Sequence, residues 1–357
     1  MLKPRVVRTA FCVVLFALSL ASGIFAEVTP REALLVLSKG DHTLAIVDPS
    51  SLKVVAKMPS GEDPHEVIAS SDGRFAYISN YGFGAYNTLT LVDLIRQQTL
   101  GPISLGPLRG PHGLAFVGGK TWFTAEGAKA IGRYDPATKT VDWILGTGQD
   151  RTHMIFVAPD MERIYTTNVS SGTVTIMEKT TRTGFGRPFP AGGGLSSGGR
   201  PPMGPPEGNW EETVVRVGSG SEGFDVAPNG KELWVANAGD GTVSIIDLVA
   251  KKVVDTLQAG VPSANRLKFT PDGKLVFISM LRGSSIAVLD AATRREVKRI
   301  PVGHGAAGMQ MQPDGSRAFV SCTPDNYVAV IDLKTLEVTG RINAGAGPDG
   351  LAWAVHR

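Results

Sequence analysis

The sequence predicts an all-β fold built from seven copies of one four-stranded unit, and three observations predict it. First, an acidic residue closes a short apolar run seven times: Ile46-Val47-Asp48, Leu91-Val92-Asp93, Arg133-Tyr134-Asp135, Ile176-Met177-Glu178, Ile245-Ile246-Asp247, Val288-Leu289-Asp290 and Val330-Ile331-Asp332. These markers stand 45, 42, 43, 69, 43 and 42 residues apart, a regular period with one overlong step. Second, a tight-turn signal recurs once per period, as Ser71-Asp72-Gly73, Pro159-Asp160-Met161, Pro228-Asn229-Gly230, Pro271-Asp272-Gly273 and Pro313-Asp314-Gly315, with Gly118-Gly119 as a degenerate copy. Asp-Gly between apolar runs supplies the positive φ that a two-strand connection needs. Third, no amphipathic helical stretch of useful length follows the first 26 residues. A repeat of this length with strand patterning corresponds to the blade of a β-propeller, so the expected architecture is seven blades.

Each element follows in chain order. Lys3, Arg5 and Arg8 form a basic start, Phe11 to Leu20 is an apolar run, and a small-residue stretch ends at Ala26. This is the pattern of a secretory signal cleaved near Ala26, too short in its apolar part for a firm membrane anchor. Twin arginines are absent, which favours export of an unfolded chain. The expected location is periplasmic or secreted, with no membrane span left after cleavage. Residues 27–357 then form a single propeller domain. Its first unit opens at a second strand, Ala33 to Leu37, and the chain closes on Pro348-Asp349-Gly350-Leu351-Ala352-Trp353, which matches the first strand of the other units. One blade is therefore expected to use both termini and to close the ring without an open sheet edge. In a full unit, residues 263–269, 275–279, 285–290 and 296–300 read as four successive strands.

The overlong step comes from residues 183–210, which hold nine Gly and six Pro. Such a composition has almost no core-forming residues and predicts a mobile insertion between a third and a fourth strand. Strand alternation puts that connection on the face opposite the entries to the first strands. Charge excludes one class of partner. The chain carries 36 Lys and Arg against 33 Asp and Glu; without Lys3, Arg5 and Arg8 the two are equal, and no basic footprint for nucleic acid remains. Beyond the signal only Cys322 is left, so packing rather than a disulfide must hold the ring, and a monomer is expected. Two motif matches carry no chemistry. Gly194-Leu195-Ser196-Ser197-Gly198 lacks the strand-to-helix turn of a nucleophile elbow, and the glycine pattern at Gly218, Gly220 and Gly223 leads into a strand rather than a helix.

The second strands read Tyr77-Ile78-Ser79-Asn80, Phe123-Thr124-Ala125-Glu126, Tyr165-Thr166-Thr167-Asn168, Trp234-Val235-Ala236-Asn237, Phe277-Ile278-Ser279-Met280 and Phe319-Val320-Ser321-Cys322. With the Asp-Gly turns before them, the chain from 33 to 353 resembles the YVTN-repeat seven-bladed propellers of exported and surface-layer bacterial proteins. The resemblance implies the fold and leaves the activity open, because similar propellers include binding modules, lactonases, streptogramin-type lyases and haem-carrying domains. The aromatic opening each of these strands is expected to pack between blades, and the acidic residue ending each third strand to cap the next turn.

What breaks the repeat points to a site. One position at the entry to each first strand reads, in blade order, His65, His112, His153, Glu222, Asn265, Ala307 and Asp349. First strands surround a propeller axis, so these side chains should gather at one mouth of the central channel, joined by Asn80, Glu126, Asn168 and Asn237 from the ends of the second strands. Arg109 and Arg151 add positive charge ahead of two of the histidines. Three readings are open: wet residues lining a funnel, a transition-metal site (zinc, iron or copper) made by His65, His112, His153 and Glu126, or acid–base chemistry by one of the histidines with Glu126. The function expected is an exported binding or scaffold propeller that offers the mouth to a small ligand or a protein partner, with no catalytic residue assigned. The alternative is a metal-assisted lyase or lactonase at the same mouth.

Overall fold

In the computed structural model, residues 28–180 and 209–356 are described; the segment expected to be a signal and most of the 183–210 segment lie outside them. The described residues form seven four-stranded antiparallel sheets with sequential strand order. Blade 1 combines Pro348–Val355 with Glu32–Ser38, Thr43–Asp48 and Lys53–Pro59. The innermost strands of blades 2 to 7 are Pro64–Ala69, Pro111–Val117, Thr152–Val157, Ser221–Val226, Ala264–Phe269 and Ala306–Met311. Closure follows the expected pattern: Leu34 faces Trp353, Leu35 faces Ala352 and Val36 faces Leu351. No helix among the described residues is long and apolar enough to cross a membrane.

The repeated residues do local work. The turn aspartates accept the N–H two residues on, as Asp72 from Arg74 at 3.1 Å and Asp314 from Ser316 at 2.9 Å. The acidic residues ending the third strands act likewise: Asp247 accepts from Val249 and Ala250 at 2.9 and 2.7 Å, and Asp332 from Lys334 and Thr335 at 2.9 and 2.8 Å. Glu178 differs, its carboxylate pairing with Lys251. Tyr77, Tyr165, Trp234, Phe277 and Phe319 are buried among the apolar side chains of adjoining sheets.

Blade 3 corrects one alignment. Val67 faces Ile78 in blade 2, and Leu114 faces Phe123 in blade 3, so Phe123 is the counterpart of Ile78 and Trp122 that of Tyr77. The shift arises at the Gly118-Gly119 turn, both glycines at positive φ, which is shorter than the Asp-Gly turns of the other units. Glu126 therefore does not end a second strand like Asn80. It occupies the next position out, equivalent to Tyr81.

The strands flanking the insertion end at Thr180 and Asn209, which face each other, whereas Asn168 and Thr173 mark the opposite end of the same sheet beside Thr152. The connection thus leaves from the face opposite the first-strand entries, as strand alternation predicts.

Candidate functional site

The mouth is built by a repeated irregularity. In blades 2 to 7 the innermost strand loses register with its neighbour just after its first residue, between Pro64 and Val67, Pro111 and Leu114, Thr152 and Ile155, Ser221 and Phe224, Ala264 and Leu267, and Ala306 and Met309. Such a bulge re-aims side chains that a regular ladder would send to the sheet faces. The residue re-aimed in each blade is the one singled out by the sequence. His65, His112, His153, Glu222, Asn265, Ala307 and Asp349 all line one cavity of about 570 Å³.

A second repeated device fixes these positions. In blades 3, 4, 6 and 7 the Ser or Thr before the end of the second strand bridges two blades. Thr124 accepts the Gly113 N–H at 2.8 Å and donates to the His153 carbonyl at 2.6 Å. Thr167 accepts from Met154 at 3.3 Å and donates to Glu222 at 2.7 Å, while Ser279 and Ser321 donate to Ala307 and Asp349 at 2.8 and 2.7 Å. Each hydroxyl holds the backbone of the next blade's mouth residue. Inward of the mouth residue stands Gly113, Gly223, Gly308 or Gly350 in four blades. A Cβ there would come within 2.6 Å of the neighbouring strand's backbone or closer, so only glycine fits. Blades 2 and 6 place Glu66 and Arg266 at this level instead. The two side chains are buried and form an ion pair that crosses the channel and floors the cavity.

Asn80, Asn168 and Asn237 turn away from the mouth. Asn168 donates to Thr173 and Thr175 at 3.1 and 2.9 Å, Asn237 to Thr242 and Ser244 at 2.8 and 3.0 Å, and Asn80 to the Ser60 and Glu62 carbonyls at 3.0 and 3.2 Å. They lock the second strand to the third. Their place at the mouth is taken by the residue that follows the strand, and Lys39, Tyr81, Leu281 and Thr323 line the cavity from there. Sequence reasoning passed over this outer ring because its members share no chemistry. Only their constant offset from the repeat marks them. Arg109 is exposed and stands outside the cavity lining, its carbonyl accepting the Gly127 N–H at 3.0 Å. Arg151 does line it.

The electrostatics centre on His153, a fully enclosed ring. Its Nδ1 contacts Glu126 and its Nε2 lies 2.7 Å from a Glu222 oxygen. Burial would lower its pKa, but Glu222 and Glu126 outweigh burial and raise it to about 9, so the ring is an imidazolium. Burial would raise both carboxyls, yet His153 and the more distant Arg151, 3.5 Å from Glu126 and 3.9 Å from Glu222, hold both below the usual range. Tyr81 donates to Glu126 at 2.5 Å. His112 stacks on His153 with ring centroids 3.8 Å apart, and His65 lies 5.1 Å beyond, edge-on to Tyr81. Burial first, and then the His153 charge, push His112 well below the ordinary histidine value, so it is neutral. Burial and Lys39, whose Nζ is 2.8 Å from its Nε2, do the same to His65. Lys39 also pairs with Asp349 at 3.3 Å.

His65, His112, His153 and Glu126 are neighbours, but among the described residues no group of three or more His, Cys, Asp or Glu is placed to hold a metal ion. The reason is local. Glu126 and Glu222 occupy both nitrogens of His153 and keep it protonated, and a protonated imidazole has no lone pair to give.

No family model matches the chain, and no curated protein matches it. Solved structures do share its shape. The functionally unknown protein from Desulfotomaculum acetoxidans superposes with a TM-score of 0.68 at 12% identity over 88% of this chain and 98% of that one. Hydrazine synthase of Kuenenia stuttgartiensis gives 0.63 at 17% identity, over 81% and 89%. The dihydro-heme d1 dehydrogenase NirN, in complex with DHE, gives 0.60 at 16% identity, over 88% and 64%. At these identities the likeness defines the class by fold: a seven-bladed β-propeller.

Proposed function

We propose that this chain is an exported binding propeller of the YVTN-repeat type, whose floored mouth takes a small polar molecule. One observation carries the reading. Two side chains in the cavity wall are more than nine-tenths buried yet keep a polar atom without a partner: the Nδ1 of His112 and the Oδ1 of Asn265. Unpaired buried polar atoms cost roughly 1–3 kcal/mol each, so their concentration at a cavity wall suits a site completed by a ligand. The sequence supports the export half through its signal-like start, and the resemblance of its second strands supports the repeat family. For the metal-assisted lyase or lactonase alternative, no group of three or more His, Cys, Asp or Glu among the described residues stands ready for a metal.

The test is retention of small molecules by the purified protein during equilibrium dialysis against a metabolite mixture, read by mass spectrometry, beside the double variant His112→Ala, Asn265→Ala. Compounds held by the wild type and released by a variant with an unchanged fold support the reading. Equal retention by both proteins, or none by either, sinks it. Elemental analysis of the same samples is expected to find zinc, iron and copper well below one ion per chain.

A further inference from the structure

The mouth contains nine formal charges, and eight of them are matched among themselves; the ninth, Asp63, lies 3.1 Å from the His65 ring. Lys39 pairs with Asp349, Arg151 and His153 with Glu126 and Glu222, and Arg266 with Glu66. A charged ligand would have to break one of these partly or wholly buried pairs, leaving its partner uncompensated. The wall also offers unpartnered acceptors. Asn265 offers a free carbonyl oxygen, and His112 a free nitrogen that accepts when its other nitrogen carries the proton. The Glu222 oxygen beside His153 is taken up by that ring's N–H. Around these acceptors the wall turns apolar, with the Tyr81 ring, Leu281 and Pro324. From this, and resting on the binding role just proposed, we infer that the ligand of the mouth is an uncharged, hydroxyl-rich small molecule, of polyol or monosaccharide class. Its hydroxyls donate to His112 and Asn265 while its C–H face lies on the apolar side of the cavity.

Three panels of probes test this: uncharged polyols and monosaccharides (erythritol, myo-inositol, glucose, galactose), anions (phosphate, citrate) and amines (ethanolamine, spermidine). Each is titrated into the purified protein with two readouts, the imidazole nitrogen resonances of His112 and isothermal calorimetry. At least one uncharged probe is expected to saturate a shift of the His112 resonances, with an affinity unchanged between low salt and about 0.5 M NaCl, where the screening length falls to about 4 Å. Asn265→Leu should weaken it by about tenfold or more, the loss expected when one buried hydrogen bond disappears. Asn265→Ser, smaller and still polar, should fold normally and weaken it less. Saturation by anions or amines alone, falling with salt, would overturn the inference and leave the binding role standing. Silence of the His112 resonances towards all three panels would overturn both.

Discussion

At the scale of single residues, His153 governs the mouth. Folding raises its pKa above the ordinary 6.5 to about 9. A raised histidine pKa stabilises the fold fully below the unfolded value and loses that stabilisation as pH climbs through the folded one. Unfolding free energy should therefore fall between pH 7 and pH 10 by about 3 kcal/mol at most, the energy equivalent of the shift. Denaturant titrations at each pH on wild type and His153→Gln would measure it. The variant should start lower and lose the alkaline slope, and an unchanged slope would show that another group titrates. Phe83 offers a second test. It is 91% exposed and held at φ 50, ψ 37, a region that non-glycine residues other than Asn and Asp rarely adopt. Phe83→Asn should raise stability by roughly 0.5–1 kcal/mol; a loss would mean that the ring makes a stabilising contact. The histidines, Glu222 and Asn265 were legible as site residues because they interrupt a repeat. That His153 takes both carboxylates, leaving His112 neutral, was not legible, because it depends on distances between blades that spacing does not encode.

At the scale of the strand, adjacent threonines in blade 4 separate two roles. Thr167 bridges Met154 and Glu222, whereas the equally buried Thr166 hydroxyl has no partner. Thr167→Val should cost about 1–3 kcal/mol by stranding a carbonyl and an N–H, while Thr166→Val should be neutral or stabilising. Thermal unfolding of the two variants would decide, and equal losses would remove the bridging role. The strands themselves were legible from the acidic marker and the Asp-Gly turns. Blade 3 was misaligned by one residue because its Gly-Gly turn erased the landmark from which the other units are counted. The register only becomes plain from the facing of Leu114 and Phe123.

At the scale of the whole molecule, the ring was legible because blade number and closure follow from counting. Both termini meet in blade 1, where Glu32–Ser38 pairs with Pro348–Val355. Removing residues 346–357 should expose the edge of Glu32–Ser38 in blade 1 and replace a cooperative melt by a broad, aggregation-prone transition. A melt like that of the full chain would show that the ring closes without this strand. The bulge and the bridging hydroxyl have a consequence at this scale. In the blades that carry both devices, backbone position is set by groups other than the mouth side chain. The mouth is then a seven-letter word written on a frame that does not depend on its spelling. Changing Ala307 to a polar residue should alter what the mouth admits while the melting temperature barely moves. Selectivity in such a ring can drift one blade at a time, each step open to selection without a detour through an unfolded intermediate.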